Sequence, residues 1–125
     1  MSQWKINDLI FEYDFDDVES MERYEQAFYR MQAKADNLPK EGTRSSFLRF
    51  YCQAFWDLFD DLFGPGTSDK LFQGKLNAVK CDEVYENFLE FVKANVQKSD
   101  SRRLNKFNNN KNRKKRYHPN KKQFN

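Results

Sequence analysis

The side chains able to do chemistry are few, and they gather in four places. Cys52 and Cys81 are the two thiols, and His118 is the single imidazole. His118 sits in a basic stretch with little apolar content, so no Ser-His or Cys-His pair can be held rigidly and no spaced His/Cys set offers zinc ligands. Asp14, Asp16, Asp17, Glu19 and Glu22 form the second group. The run could bind a divalent cation but lacks the alternating ligand spacing and central Gly of a calcium loop, so capping of the next helix is the stronger reading. Asp57, Asp60 and Asp61 form the third group, near the C-terminal end of an apolar helix. Negative charge opposes the helix dipole there and needs compensation. On the wheel Asp57 and Asp60 share a polar strip with Arg49 and Gln53, the position of solvated carboxylates. Asp61 lies at the flank of the apolar arc and needs a partner such as the backbone amides of the turn Gly64-Pro65-Gly66-Thr67. With no second titratable group beside it, a structural anchor outweighs an acid/base role. That turn has neither the GxxxxGK[ST] pattern nor a preceding strand, so it reads as a connector between helices and not as a phosphate cradle. These residues predict no catalytic centre, no metal and no cofactor, hence a protein that is not an enzyme.

The fourth group is the C-terminal stretch SRRLNKFNNNKNRKKRYHPNKKQFN. Positions 101 to 125 hold ten Lys or Arg and no acid, which leaves 12 basic against 19 acidic residues in positions 1 to 100. The chain therefore divides into a body of −7 and a tail of +10, beneath a formal net charge of +3. Cations interleaved with Phe107, Tyr117 and Phe124 suit single-stranded nucleic acid, with phosphates on Lys/Arg and bases stacked on rings. The contacts for nucleic acid or an acidic partner would be Arg102, Arg103, Lys106, Lys111, Arg113, Lys114, Lys115, Arg116, Tyr117, Lys121 and Lys122. The competing reading is a solvated arm, or one that docks on an acidic protein surface.

Positioning these groups falls to one stretch, Phe47 to Phe63. On a helical wheel its apolar residues cover an arc of about 240°, so it must be surrounded and reads as the central helix. Phe50, Tyr51, Ala54, Phe55, Leu58 and Leu62 are the expected core contributors. Thr43, Ser45 or Ser46 can cap its start, and Gly64 should end it in a left-handed conformation. Ahead of it, Trp4-Lys5-Ile6 and Leu9 to Tyr13 flank Asn7-Asp8, a pattern for a tight β-hairpin lying as a lid on the central helix. Asp16 or Asp17 can cap a second helix, from Val18 to Asn37, with a single stripe of Val18, Met21, Tyr24, Phe28, Met31, Ala35 and Leu38. After the turn, Thr67 or Ser68 can start a short helix through Phe72. From Asn77 to Gln97 a third long helix carries Val79, Val84, Tyr85, Phe88, Leu89, Phe91, Val92 and Val96, with Cys81 near the same stripe.

The expected fold is mainly α (α+β): residues 1–98 form the hairpin and a three-to-four-helix body, and residues 99–125 form a disordered, basic, Asn/Lys/Arg-rich tail. No run reaches the roughly 20 apolar residues of a membrane span. The start MSQWKIND carries no signal-peptide pattern, and two Cys in apolar patterns predict reduced, buried thiols in a cytosolic protein.

The segments INDLIFEYDFDDVESMERYEQA, FWDLFDDLFGPGTSDKLFQGKLN and CDEVYENFLEFV, followed by a basic Asn-rich tail, resemble a family of small proteins encoded in tail-morphogenesis regions of tailed phages and prophages of Gram-positive bacteria. The resemblance covers about residues 6 to 96 and is most specific in the phrase from Leu58 to Phe72; Trp4 and the length of the Asn-rich tail depart from the family pattern. It implies a tail assembly chaperone in the cytoplasm of the bacterial host, coating the tape measure protein and recruiting tail tube subunits. The aromatic load of the body suits a protein-binding factor, with Phe47, Tyr51, Trp56, Phe59, Phe63 and Phe72 as candidate partner contacts and Asp61, Gly64, Pro65, Gly66 and Thr67 as the structural loop. Two alternatives stand beside it: a phage-encoded inhibitor of a host defence or regulatory protein, and a nucleic-acid-binding accessory protein acting through the tail.

Overall fold

A computed structural model of the chain describes the backbone of residues 1–115 and the side chains of residues 1–108. The elements run β1 (Ser2–Ile6), β2 (Leu9–Tyr13), α1 (Val18–Asp36), α2 (Arg44–Phe63), α3 (Thr67–Phe72) and α4 (Ala78–Lys115). The architecture is the expected one, an N-terminal hairpin on a helical body.

β1 and β2 pair antiparallel with Ile6 opposite Leu9 and Trp4 opposite Phe11. The turn is thus Asn7-Asp8, and Asn7 takes the positive φ of 53° that its short polar side chain tolerates. Strand alternation sends Trp4, Ile6, Phe11 and Tyr13 inward and leaves Lys5, Ile10 and Glu12 outside. Tyr13 Oη donates to the Ser20 carbonyl at 2.6 Å, which fastens the end of β2 to the first turn of α1. That turn is capped by Asp17, whose side chain accepts from Ser20 N at 2.9 Å.

α2 lies at the centre, packed against α1, α3 and α4 and touching β2. Thr43 caps it through Ser46 N at 3.2 Å. Its buried side chains are Cys52, Ala54, Phe55, Leu58, Phe59 and Leu62, whereas Phe50 and Tyr51 are half-buried. The heart of the core is aromatic. Phe59 and Phe88 are fully enclosed and meet edge to face at 5.5 Å. Each such side chain removes enough apolar surface from water to contribute roughly 1.5–3 kcal/mol.

Trp4 closes this core. It is 2% exposed, stacks on Phe59 and Phe63, meets Phe88 edge-on at 5.1 Å, and donates Nε1 to Asn87 Oδ1 at 2.8 Å. The hairpin is therefore a wall of the core, bridging α2 and α4, and more than a lid.

Two expectations about faces and one about length are corrected. Val18, Val79 and Leu89, placed on apolar stripes, are 73%, 66% and 36% exposed; the two valines stand in the first turns of their helices. Ala27, absent from the expected stripe of α1, is completely buried where small size permits close packing. The third long helix also does not stop at Gln97. Asn77 caps it as expected, accepting from Lys80 N at 3.0 Å, but it continues to Lys115. Residues 99–115, expected to be disordered, extend an existing helix, so the cost of nucleation is already met and each added residue gains a backbone hydrogen bond. Positions 116–125 of the expected tail lie outside the described residues.

Truncation of Leu58 or Phe55 to Ala should cost on the order of 2–5 kcal/mol, and Trp4→Ala should cost as much as a buried helix residue, about 3–5 kcal/mol. Urea denaturation of the three variants checks this. A Trp4→Ala midpoint equal to that of the parent would show that the hairpin does not belong to the core.

Candidate functional site

The turn that ends α2 is built from one carboxylate and two glycines at positive φ. Gly64 donates its N–H to the Asp60 carbonyl at 2.9 Å, then leaves the helix at φ 107° and ψ 162°. This is positive φ but not the left-handed helical region expected for it; it is a region only Gly occupies without strain. Gly66 follows at φ 90°, ψ −8°, and α3 starts behind it. Thr67 Oγ1 donates to the Gly64 carbonyl at 2.7 Å, and Thr67 and Ser68 are both buried. Pro65 is exposed at the tip.

The loop is anchored by Asp60, not by Asp61. Asp60 accepts from Ser68 N at 2.8 Å and from Ser68 Oγ at 2.9 Å. Asp61 instead meets Arg30 Nε at 3.1 Å, and Asp57 meets Lys34 Nζ at 2.6 Å. Each of the three acids near the unfavourable end of α2 thus has its compensation, two from α1 and one from the folded-back chain. The two ion pairs are exposed by a third or more, and such pairs are worth about 0–1 kcal/mol each.

The six aromatic residues expected to meet a partner divide. Phe59 and Phe72 are buried in the core and offer no contact surface. Phe63 is half-buried against Trp4, Phe11 and Tyr13. Trp56 stacks on Phe72 at 5.9 Å, and its Nε1 is buried with no hydrogen-bond partner among the described residues. Phe47 and Tyr51, half-buried and stacked at 6.2 Å, lie nearer the start of α2. Tyr51 Oη donates to Asp82 Oδ1 at 2.6 Å, tying α2 to α4. That hydrogen bond, followed by burial, pushes the Tyr51 phenol up to about 12. Burial does the same for Tyr24, also to about 12, and raises Tyr85.

Beside the turn opens a cleft of about 510 Å³. Its floor includes Phe11, Leu62 and Phe63; Ile10, 59% exposed, lines it from β2, and Glu12 and Asp14 add negative charge. It runs along β2, which is one of only two strands and so has an edge without a strand partner among the described residues. Nothing in the sequence marked this cleft, because it forms where β2, the first turns of α1 and the end of α2 converge.

Both thiols are completely buried and free. Burial, then the contact with Cys52, raises the Cys81 thiol to about 12, so it stays protonated and poorly nucleophilic. Among the described residues no group of three or more His, Cys, Asp or Glu is placed to hold a metal. No helix among them is long and apolar enough to cross a membrane.

Of the basic residues expected to make contacts, Arg103 is engaged. Its Nη1 donates to Asp16 Oδ1 at 2.8 Å and holds that carboxyl below its usual value. Arg102 and Lys106 are exposed on α4, as are Leu104 and Phe107 at 61% and 67%. Lys111, Arg113, Lys114 and Lys115 occupy its last turns, while Arg116, Tyr117, Lys121 and Lys122 lie outside the described residues.

Residues 7–123 match a family of unknown function (DUF6673). No curated protein and no solved structure matches the chain.

Two outcomes follow from the geometry. Asp60→Ala should cost about 1–3 kcal/mol, since it strands a buried Ser68 and removes charge-assisted bonds, while Asp61→Ala should stay within about 1 kcal/mol. Gly64→Val should lose roughly 1–3 kcal/mol from backbone strain alone. Equal midpoints for the two Asp variants in urea would return the anchor to Asp61. For the phenols, the unfolded chain ionises near pH 10 while folded Tyr24 and Tyr51 hold their protons to about 12. The unfolded state therefore loses protons first, and stability should fall as pH rises between those values. Absorbance at 295 nm should show late ionisation that Tyr51→Phe reduces; a single transition near pH 10 with no loss of stability would contradict it.

Proposed function

The chain belongs to the matched family, whose description assigns no role, and we propose that it is a non-catalytic protein-binding factor acting in phage tail assembly. The observation that carries the binding reading is the cleft beside β2. It offers an exposed apolar residue, an aromatic floor and the free edge of a strand, which is the combination that accepts an extended segment of another protein by strand addition. Glu12, Asp14 and Asp61 outnumber Arg23 along its lining, which favours a partner segment carrying Lys or Arg.

The assignment to tail assembly comes from the resemblance of the Leu58 to Phe72 phrase to proteins of tail-morphogenesis regions. Under it the bound segments belong to the tape measure and tail tube proteins, in the cytoplasm of the bacterial host. The structural role of that phrase fits such an inheritance, since its Asp61, Leu62, Phe63 and Gly64 line the cleft and the bonds from Ser68 to Asp60 fix the turn behind them.

Co-expression with the tail proteins of the same phage, followed by pull-down, tests this. The full chain should retain tape measure or tube protein, and Ile10→Glu should reduce retention at least tenfold while leaving the urea midpoint unchanged. Recovery of a host regulatory protein in their place would favour an inhibitor of host defence, and full retention by Ile10→Glu would take the interface away from the cleft.

A further inference from the structure

The cleft leaves the far end of α4 without a role, and that end has a chemistry of its own. Val96 is the last residue of α4 packed on the core, and Arg103 makes the last described contact with the body. From Leu104 onward the described side chains are exposed and the helix continues to Lys115. Residues 98–115 would span about 27 Å at 1.5 Å per residue. They carry eight Lys or Arg against Asp100 alone, a net +7. At 100° per residue, Lys98, Arg102, Arg103, Lys106, Arg113 and Lys114 fall within an arc of about 160°.

We propose that this arm is a binding site for double-helical DNA, engaged through the phosphate backbone with little dependence on sequence. A helix that docks on protein needs an apolar stripe repeated over several turns. Here that stripe ends at Phe107, and residues 108–115 read NNNKNRKK. On a protein surface their cations would add only weak, solvent-screened ion pairs. A polyanion rewards the same cations far more, because every neutralised phosphate releases condensed counterions.

Single strands are held chiefly by stacking on aromatic platforms, and the described arm supplies one ring, Phe107. Its helical form fits a duplex instead. An α-helix about 10–12 Å across matches the roughly 12 Å major groove of B-DNA. The deep, narrow groove of double-stranded RNA excludes it. The body, at −7, repels the same phosphates, so contact is confined to the arm. Asp16 reinforces the division by occupying Arg103 at the root.

The site is independent of the cleft and is tested separately. A labelled 20-base-pair duplex is titrated with the full chain by fluorescence anisotropy between 50 and 200 mM NaCl. With about four to six phosphates neutralised, the dissociation constant should rise on the order of 10²–10³-fold over that range. The full-length quadruple variant Arg102→Gln, Lys106→Gln, Arg113→Gln, Lys114→Gln should bind at least 100-fold more weakly at 50 mM NaCl with an unchanged urea midpoint. Asp16→Ala, which frees Arg103, should steepen the salt slope by about one. Ile10→Glu should bind the duplex as the parent does. No anisotropy change at 50 mM NaCl, salt-independent binding, or undiminished binding by the quadruple variant would overturn the proposal. So would tighter binding of a 20-nucleotide single strand, or adsorption to phosphatidylserine vesicles without binding to the duplex.

Discussion

The body depends on the contact between Trp4 and the Phe59–Phe88 pair. A two-stranded hairpin is marginal by itself, and the groove between two helices carrying this many rings cannot be left open to water. Each solves the other's problem when the indole fills the groove. Its Nε1 would be a costly buried donor without Asn87, whose Oδ1 is reached because Asn87 immediately precedes Phe88. One residue of α4 thus supplies the edge-on ring and its neighbour the acceptor, so the register of β1 against α4 is set by packing and hydrogen bonding together.

From this centre the polar interactions arrange themselves by burial. Ser68, almost fully buried, donates both its N–H and its Oγ–H to the Asp60 carboxylate and so holds α3 against α2. The more exposed Asp57 and Asp61 take flexible cations from α1, which balance the helix dipole and contribute little else. The outcome is a body whose interior is aromatic and whose negative charge stays at the surface, joined by one uninterrupted helix to a strongly basic arm. The proposed protein-binding cleft and the proposed polyanion-binding arm would then lie at opposite charge poles of the chain.

Much of the fold was legible in the sequence because local rules and tertiary packing agree there. Asn7-Asp8, Asp17, Thr43, Asn77 and Gly64 each mark a turn or helix end by chemistry that operates within four residues, and α2 announces its central place by its apolar girth. The remainder required knowledge of where the chain returns. A wheel puts Asp60 on the polar strip, yet the reversal at Gly64 and Gly66 swings Ser68 back over that strip; the wheel cannot see the landing point. Trp4 looked like a strand residue on a lid, since nothing within β1 reports that Phe88 lies 84 residues away in its path. The length of α4 is hidden from composition, because a stretch rich in Lys, Arg and Asn cannot fold alone, whereas residues 98–115 inherit a helix already nucleated by the core. The cleft, assembled from three elements, left no mark on any one of them.

Hydrogen exchange at the Trp4 indole Nε1–H reports most directly on whether the hairpin is a wall of the core. This proton is buried in the ring cluster and bonded to Asn87, so it should exchange only through global opening, with the same free energy as the slowest backbone amides of α2. An indole proton that exchanges well before those amides, while α2 remains protected, would mean that the hairpin detaches without unfolding the body and that Trp4 does not close its core.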